Sequence, residues 1–106
     1  MISIADRRRG ALEAIDRHVN TEPTADRVLR RSAEVLVERL GFAAVAVRRP
    51  GFEEVGAGAA PSAVATVVPI RFGTREVGQL VVDPASEDDL GFLEHVARML
   101  SSRCER

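Results

Sequence analysis

The hydrophobic periodicity of the chain changes from helical to strand-like at Gly41. Before this glycine, apolar residues recur every three or four positions, which predicts helices over residues 3–19 and from about Thr24 to Leu40. Thr24 is a typical helix N-cap, and Gly41 stands where a C-terminal cap glycine is expected. Beyond Gly41 the apolar runs are short and separated by turn residues, so this part of the chain is predicted to begin with strands.

Four strands are predicted after Gly41, followed by one helix. Short connections between neighbouring strands favour hairpins and therefore an antiparallel sheet. Pro69 cannot donate a hydrogen bond to a strand ladder, so its strand should lie at an edge of the sheet. Ser86 and Asp89 resemble a capping box at the start of the last helix, which should reach about Arg103. The predicted strands are Phe42–Val47, Phe52–Val55, 64–72 and Glu76–Asp83, with residues 56–62 as a flexible connection.

The predicted fold class is α+β, with a central antiparallel sheet of about four strands, two N-terminal helices and one C-terminal helix packed on one face. Alternation along the last two strands separates an apolar face from a small, mixed one. The apolar, helix-facing set comprises Val64, Val68, Ile70, Phe72, Leu80 and Val82, and the opposite set comprises Ala65, Val67, Arg71, Gln79 and Val81. The second face is therefore predicted to be thinly covered.

The length and composition fit one domain over residues 1–106. The formal net charge of −1 argues against duplex DNA or an anionic membrane as a partner. Only 4% of the residues are aromatic, so stacking platforms for bases are scarce. No apolar run approaches the ~20 residues of a membrane span, and the N-terminus lacks a signal-peptide core. A single cysteine, Cys104, excludes an intramolecular disulfide framework, so we expect a cytoplasmic protein.

Three stretches of the chain resemble a GAF-type sensory domain. The family's helix that ends in Leu-Gly before the first strand is similar to residues 36–47 (LVERLGFAAVAV). Its hairpin with a "Val-Gly-x-Leu" strand resembles residues 68–83 (VPIRFGTREVGQLVVD), and the acidic start of its last helix resembles residues 87–93. Together these stretches support the resemblance over about residues 24–103. A roadblock-like or profilin-like interaction domain is the alternative fold.

The resemblance implies a minimal member of this family. Members that hold a cyclic nucleotide, bilin or haem usually insert a long helical segment between the second and third strands, and it covers the ligand. Here only eight residues separate Val55 from Val64, so the usual pocket should be open or absent, with no cofactor. Reductases of the free-methionine-sulfoxide kind use the same fold, but their chemistry needs cysteines in the pocket, and Cys104 lies outside the matching stretches.

The resemblance also implies a homodimer, because the terminal helices of GAF-like proteins often pack against a second copy. The terminal helices here carry apolar residues that could exceed what one sheet covers, and Phe92 and Met99 lie off the main stripe. The predicted dimer interface comprises Ile4, Leu12, Ile15, Val19, Leu93, Val96 and Leu100. The alternative is that all of these residues pack within the monomer.

Cys104 and the adjacent acids Glu53 and Glu54 are candidate reactive groups. Cys104 lies two residues from the chain end between Arg103 and Arg106, and we expect a frayed tail thiol rather than a nucleophile. Glu53 and Glu54 are adjacent on a predicted strand, so their side chains should point to opposite faces and cannot act together on one substrate. No catalytic residue is predicted.

The two histidines, His18 and His95, lie on the first and last helices. A metal site would need further ligands, such as Asp16 or Glu94, and no ligand spacing typical of a metal site is present. Both are therefore expected to be surface histidines, and no metal site is predicted.

Arginine clusters at residues 7–9 and 27–31 could bind phosphate or nucleic acid. Acidic residues interleave with them, however, and Asp26 and Glu34 each lie four residues from Arg30 on the second helix. A solvated face with internal ion pairs is the preferred interpretation.

These observations predict a non-enzymatic sensory or regulatory domain in signal transduction. It would act through homodimerisation or through a signalling protein partner. The alternatives are a small-molecule sensor with a shallow pocket on the open sheet face and a thiol-dependent reductase.

Overall fold

The computed structural model describes residues 3–104 and confirms the predicted α+β fold class. The strands form one sheet in the order β2-β1-β4-β3, and every neighbouring pair is antiparallel. β1 and β4 are therefore the two central strands. The elements in chain order are α1 (Ile4–Thr21), α2 (Ala25–Leu40), β1 (Ala44–Arg48), β2 (Val55–Gly58), β3 (Thr66–Phe72), β4 (Arg75–Asp83) and α3 (Glu87–Cys104).

The ends of the first two helices are fixed by local hydrogen bonds. The Ser3 hydroxyl accepts from the backbone N–H of Asp6 at 3.1 Å, and the Thr24 hydroxyl accepts from that of Arg27 at 3.2 Å. Gly41 ends α2 with a φ of 79°, a left-handed conformation that favours glycine. The predicted cap residues at both ends of α2 are thus confirmed.

All three helices lie on one face of the sheet. α2 packs on β1 and β2, α3 packs on β3 and β4, and α1 packs against both α2 and α3. Aliphatic side chains fill the space between these layers. The largest fully buried ones are Ile15, Leu29, Leu36, Ile70, Leu80, Leu93, Leu100, Val28, Val45, Val47 and Val82, and Val81 is buried to a similar extent on the opposite face of the sheet. Within residues 3–104, no helix combines the length and the apolar character needed to cross a membrane.

The boundaries predicted for the second strand are wrong. The prediction assigned residues 52–55 to a strand and 56–62 to a connection, whereas β2 begins at the last residue of that predicted strand and continues through two glycines. A Cβ atom on Gly56 would lie only 2.5 Å from the Val45 carbonyl oxygen, and Gly58 has a φ of 75°. Both positions require glycine, so a stretch with the composition of a loop pairs closely with β1.

The edge position of β3 confirms the prediction made from Pro69. Val68 and Ile70 are buried on the helix-facing side, as alternation predicted. Val64 is not part of the strand and is 88% exposed, and Phe72 is exposed at the other end of β3. Fewer residues of the predicted strand therefore pack against the helices, because Val64 and Phe72, at its two ends, are exposed.

Residues 59–65 join β2 to β3 across the sheet face that is turned away from the helices. The two strands lie at opposite edges, so the connection must pass β1 and β4. The Ser62 backbone N–H donates to the Asp83 carboxylate at 2.9 Å, and hydrogen bonds from Ser62 lower the pKa of Asp83. On this face Ala46 and Val81 are almost fully buried. Of the residues predicted on this face, Val81 alone is buried and Val67 is 47% exposed, which agrees with the prediction of a thinly covered face.

Replacing Gly56 with Ala should destabilise the fold by about 1–3 kcal/mol, because the added methyl group would force β2 away from β1. Gly91 provides a matched control, since it lies on α3 with open space around it. Gly91→Ala should stabilise the fold by about 0.5–1 kcal/mol through helix propensity. Urea unfolding of both variants measures these changes, and an unchanged stability of Gly56→Ala would contradict the close approach of β2 to β1.

Candidate functional site

Helices α1 and α3 are parallel and are joined near both ends. Near their starts, Arg8 Nη2 donates to Asp89 Oδ1 at 2.7 Å. Near their ends, Arg103 Nη2 donates to the backbone oxygen of Glu22, the C-cap of α1, at 2.8 Å. Both contacts join residues separated by 81 positions, so the two helices run in the same direction and stay in one register.

Asp89 also fixes the start of α3. Its carboxylate accepts from the backbone N–H of Ser86 at 2.9 Å and from the Ser86 hydroxyl at 3.2 Å. Burial raises the pKa of Asp89, but the hydrogen bonds from Ser86 and Arg8 outweigh this effect and hold the pKa below its ordinary value of 3.8. The stability that these bonds contribute is therefore present above pH 3.8 and is lost as the pH falls through the lower folded value.

Apolar side chains line the outer side of the α1–α3 pair. Leu12 and Val19, two turns apart, lie on the flank of α1 that carries Arg8 and faces α3. Phe92 and Met99 have the same spacing on α3, and the Arg8 guanidinium lies 5.5 Å from the centre of the Phe92 ring. All four apolar residues pack against the core yet stay partly exposed. We call the strip of Leu12, Val19, Phe92 and Met99 the outer seam.

The structure divides the residues predicted to form a dimer interface into two groups. Those fully buried in the monomer are Ile15, Leu93, Val96 and Leu100. These four cannot reach a partner and must be removed from the predicted interface, because helical spacing does not tell a core-facing apolar residue from a surface one. Ile4 is 56% exposed, and Leu12 and Val19 are partly exposed. Dimerisation itself stays a prediction.

Cys104 is buried, so the prediction of a frayed tail thiol is wrong. It is the last residue of α3, and only 4% of its surface is exposed. β4 packs against it, since a Cβ atom on Gly78 would lie in van der Waals contact with its Sγ, at 3.6 Å. Burial raises the pKa of Cys104 to about 11, against a smaller opposing effect of the Arg49 charge. The thiol is thus protonated at neutral pH and is a poor nucleophile.

Arg49 is a buried cation that is absent from the predicted sites. Its side chain is 4% exposed, and Nη2 donates to the carboxylate of Asp26 at the start of α2. The guanidinium lies 4.2 Å from the centre of the Phe52 ring. Its Nε is buried and has no hydrogen-bond partner within residues 3–104. Strand alternation could have found this residue, because it continues the helix-facing set of Val45 and Val47.

A cavity of 240 Å³ lies beside this arginine. The register of the last hairpin shifts here, since Ile70 pairs with Gly78 but Arg71 pairs with Glu76, which makes Val77 the extra residue of a β-bulge. A second cavity of 350 Å³ adjoins the first and shares Arg49, Pro50 and Glu76 with it. The first cavity is lined by Arg49, Pro50, Phe52, Arg75, Glu76, Val77 and Cys104.

The two histidines lie on α1 and α3, where the sequence placed them. His18 Nδ1 is 3.8 Å from a carboxylate oxygen of Glu22 on its own helix, and His95 is exposed on α3. Within the part of the chain that the structure describes, no three His, Cys, Asp or Glu side chains are grouped as a metal ion would require.

Glu53 and Glu54 lie in the connection between β1 and β2 rather than on a strand. Strand alternation therefore does not separate their side chains, and that part of the prediction is wrong. Glu54 accepts a hydrogen bond from Arg48 Nε at 2.6 Å. This carboxylate is thus held in a surface ion pair.

The acidic residues of α2 pair differently from the predicted helical pairs. Asp26 binds Arg49 after β1 instead of Arg30 on its own helix. Glu34 accepts from Arg31, with 3.3 Å between its oxygen and Arg31 Nη1. In the arginine cluster at residues 27–31, Arg31 is therefore the residue that pairs with an acid of its own helix, Glu34.

The folded chain should react with a disulfide reagent such as Ellman's reagent about 100-fold more slowly at pH 8 than the same chain in urea. The pKa of Cys104 is about 11 instead of 9.0, which lowers the thiolate fraction by about that factor. The stability linked to this protonated thiol is present below pH 9.0 and is lost as the pH rises through about 11. Equal rates for folded and unfolded chains would contradict the burial of Cys104.

No protein-family model matches the chain, and no curated protein matches its sequence. Solved structures do match its fold. The GAF domain of a phosphoenolpyruvate-protein phosphotransferase from Coxiella burnetii has a TM-score of 0.73 at 14% identity, over 95% of this chain and 94% of that chain. The GAF domain of an Acinetobacter phosphoenolpyruvate-protein phosphotransferase has a TM-score of 0.68 at 13% identity, over 97% and 94%.

An enzyme is also similar in structure. A free methionine-R-sulfoxide reductase from Neisseria meningitidis, solved in complex with its substrate, has a TM-score of 0.70 at 18% identity, over 98% of this chain and 93% of that chain. At such low identity the similarity shows the fold alone. The chain therefore has a GAF-like fold, as the resemblance implied, and that fold is shared by the GAF domains of two phosphotransferases and by a reductase.

Proposed function

We propose that this chain is a non-enzymatic regulatory domain that acts by binding another protein, and that its first partner is a second copy bound at the outer seam. The observation that carries the proposal is the seam itself, with four partly exposed apolar side chains on a helix pair that is fixed near both ends. Its exposed neighbour Ile4 extends the apolar surface toward the start of α1.

If a two-fold axis passes through the outer seam, the seam residues of one copy contact the same set of residues on the other copy. The two helix pairs would then form a four-helix bundle, in which apolar residues two turns apart on each helix become buried. The contacts of Arg8 with Asp89 and of Arg103 with Glu22 support this, because they order the seam before binding. A pre-ordered surface loses less conformational entropy on association.

The state of Cys104 favours a regulatory role over a reductase-like one. Thiol chemistry needs an accessible thiolate, and the chain has one cysteine, which is buried with a raised pKa. A single cysteine cannot form an intramolecular disulfide, and we infer a cytoplasmic setting. The similarity in fold to two GAF domains supports, by analogy, a role as a sensor or relay in signal transduction.

Light scattering after size exclusion should give a molar mass of twice the 11.5 kDa of one chain. Leu12→Glu places a charge in the centre of the proposed bundle and should raise the dimer dissociation constant by about 30-fold or more. Circular dichroism should show that the variant stays folded, because Leu12 is only partly buried in the monomer.

Val64→Glu is the matched control for this experiment. Val64 is also aliphatic, is 88% exposed and lies in the connection on the opposite side of the sheet from the helices. Its replacement should leave the molar mass unchanged. A wild-type chain that stays monomeric over a wide concentration range, or a folded Leu12→Glu variant that still dimerises, would refute the proposed interface.

A further inference from the structure

We propose that the cavity beside Arg49 binds a small organic carboxylate with an apolar body. This site lies at the end of β1, between the start of α2 and the end of α3, and it is separate from the outer seam. Binding at this site therefore does not depend on dimerisation at the outer seam.

The Arg49 guanidinium has hydrogen-bonding capacity that residues 3–104 do not fill. A buried cation is costly unless its donors are paired. The bond to Asp26 engages Nη2, while Nε has no acceptor among residues 3–104. The Asp26 side chain is 67% exposed, so it can turn into solvent at little cost when another acceptor arrives. Arg49 is thus a fixed cation with a displaceable partner.

The partner that Arg49 already has identifies the chemistry of the ligand. Asp26 presents a carboxylate to the guanidinium, and a carboxylate matches the planar donor edge of arginine. A ligand carboxylate would take over this position. The charged side chains that line the cavity are Arg49, Arg75 and Glu76, which leave one positive charge in excess and so suit a monocarboxylate better than a more highly charged anion such as phosphate.

The walls of the cavity indicate an apolar body of limited size. Phe52 lies against the guanidinium, and Pro50, Val77 and the protonated thiol of Cys104 offer apolar surface. A volume of 240 Å³, with the adjoining 350 Å³, suits a molecule of about ten non-hydrogen atoms. The cavity would therefore hold the carboxylate against Arg49 and the apolar body between Phe52 and Val77.

The first test uses phenylacetate, benzoate and isovalerate, each compared with its neutral amide. Amide NMR spectra of the full chain are recorded while each compound is added. We expect saturable shifts at Phe52, Val77 and Cys104 for at least one acid, with a dissociation constant of about 1 mM or tighter. Its amide should bind at least about tenfold more weakly. Shifts that never saturate for any acid, or equal binding of acid and amide, would overturn the proposal.

Variants separate a binding role of Arg49 from a structural one. Asp26→Asn removes the competing carboxylate and should strengthen binding of the acid about threefold or more. Arg49→Met should abolish binding, whereas Arg98→Met, at an exposed arginine that lines neither cavity, should leave it unchanged.

If Arg49→Met does not fold, the Asp26→Asn result decides. Binding that is unchanged or weaker in Asp26→Asn would show that the acid does not use the Asp26 position on Arg49, and the proposal would be wrong. The molar mass of each variant is measured in parallel. A chain that binds the acid as a monomer supports the cavity and refutes only the dimer.

Discussion

The pairing of β1 with β4 is the contact on which the rest of the fold depends. These strands are distant in sequence yet form the centre of the sheet, with Val45 opposite Val82 and Val47 opposite Leu80. β1 then pairs with β2 at one edge of the sheet, and β4 pairs with β3 at the other edge. α2 covers the half that contains β1 and α3 covers the half that contains β4, so the helix positions follow from the strand order. The same order obliges the connection between the edge strands to cross the sheet.

Much of the fold could be predicted where one residue decides its own local conformation. Pro69 cannot donate to a ladder, and Gly41 adopts a left-handed conformation, so an edge strand and a helix end follow from the sequence alone. Prediction failed where a conformation or a burial depends on contact with a residue that is distant in the chain. The register of β2 depends on the contact of Gly56 with β1, and the burial of Cys104 depends on the start of β4.

The candidate site follows the same rule. Helical spacing predicted that Asp26 pairs with Arg30 on its own helix. The arginine that binds Asp26 is Arg49, which lies 23 residues away at the end of β1. Periodicity identified Ile15 and Leu93 as apolar helix residues, yet it could not show that a layer of helices and sheet covers them completely. Alternation places Arg49 on the helix-facing side of the sheet, but only the tertiary fold brings Asp26, Phe52 and a cavity to it.

Because α1 and α3 run in the same direction, the described chain enters at one end of the helix pair and leaves at the other. Each helix has 18 residues, so these two ends are about 27 Å apart at a rise of 1.5 Å per residue. Copies fused in tandem could follow one another along a common axis with short linkers. A circular permutant, in contrast, would need a connector as long as the whole pair.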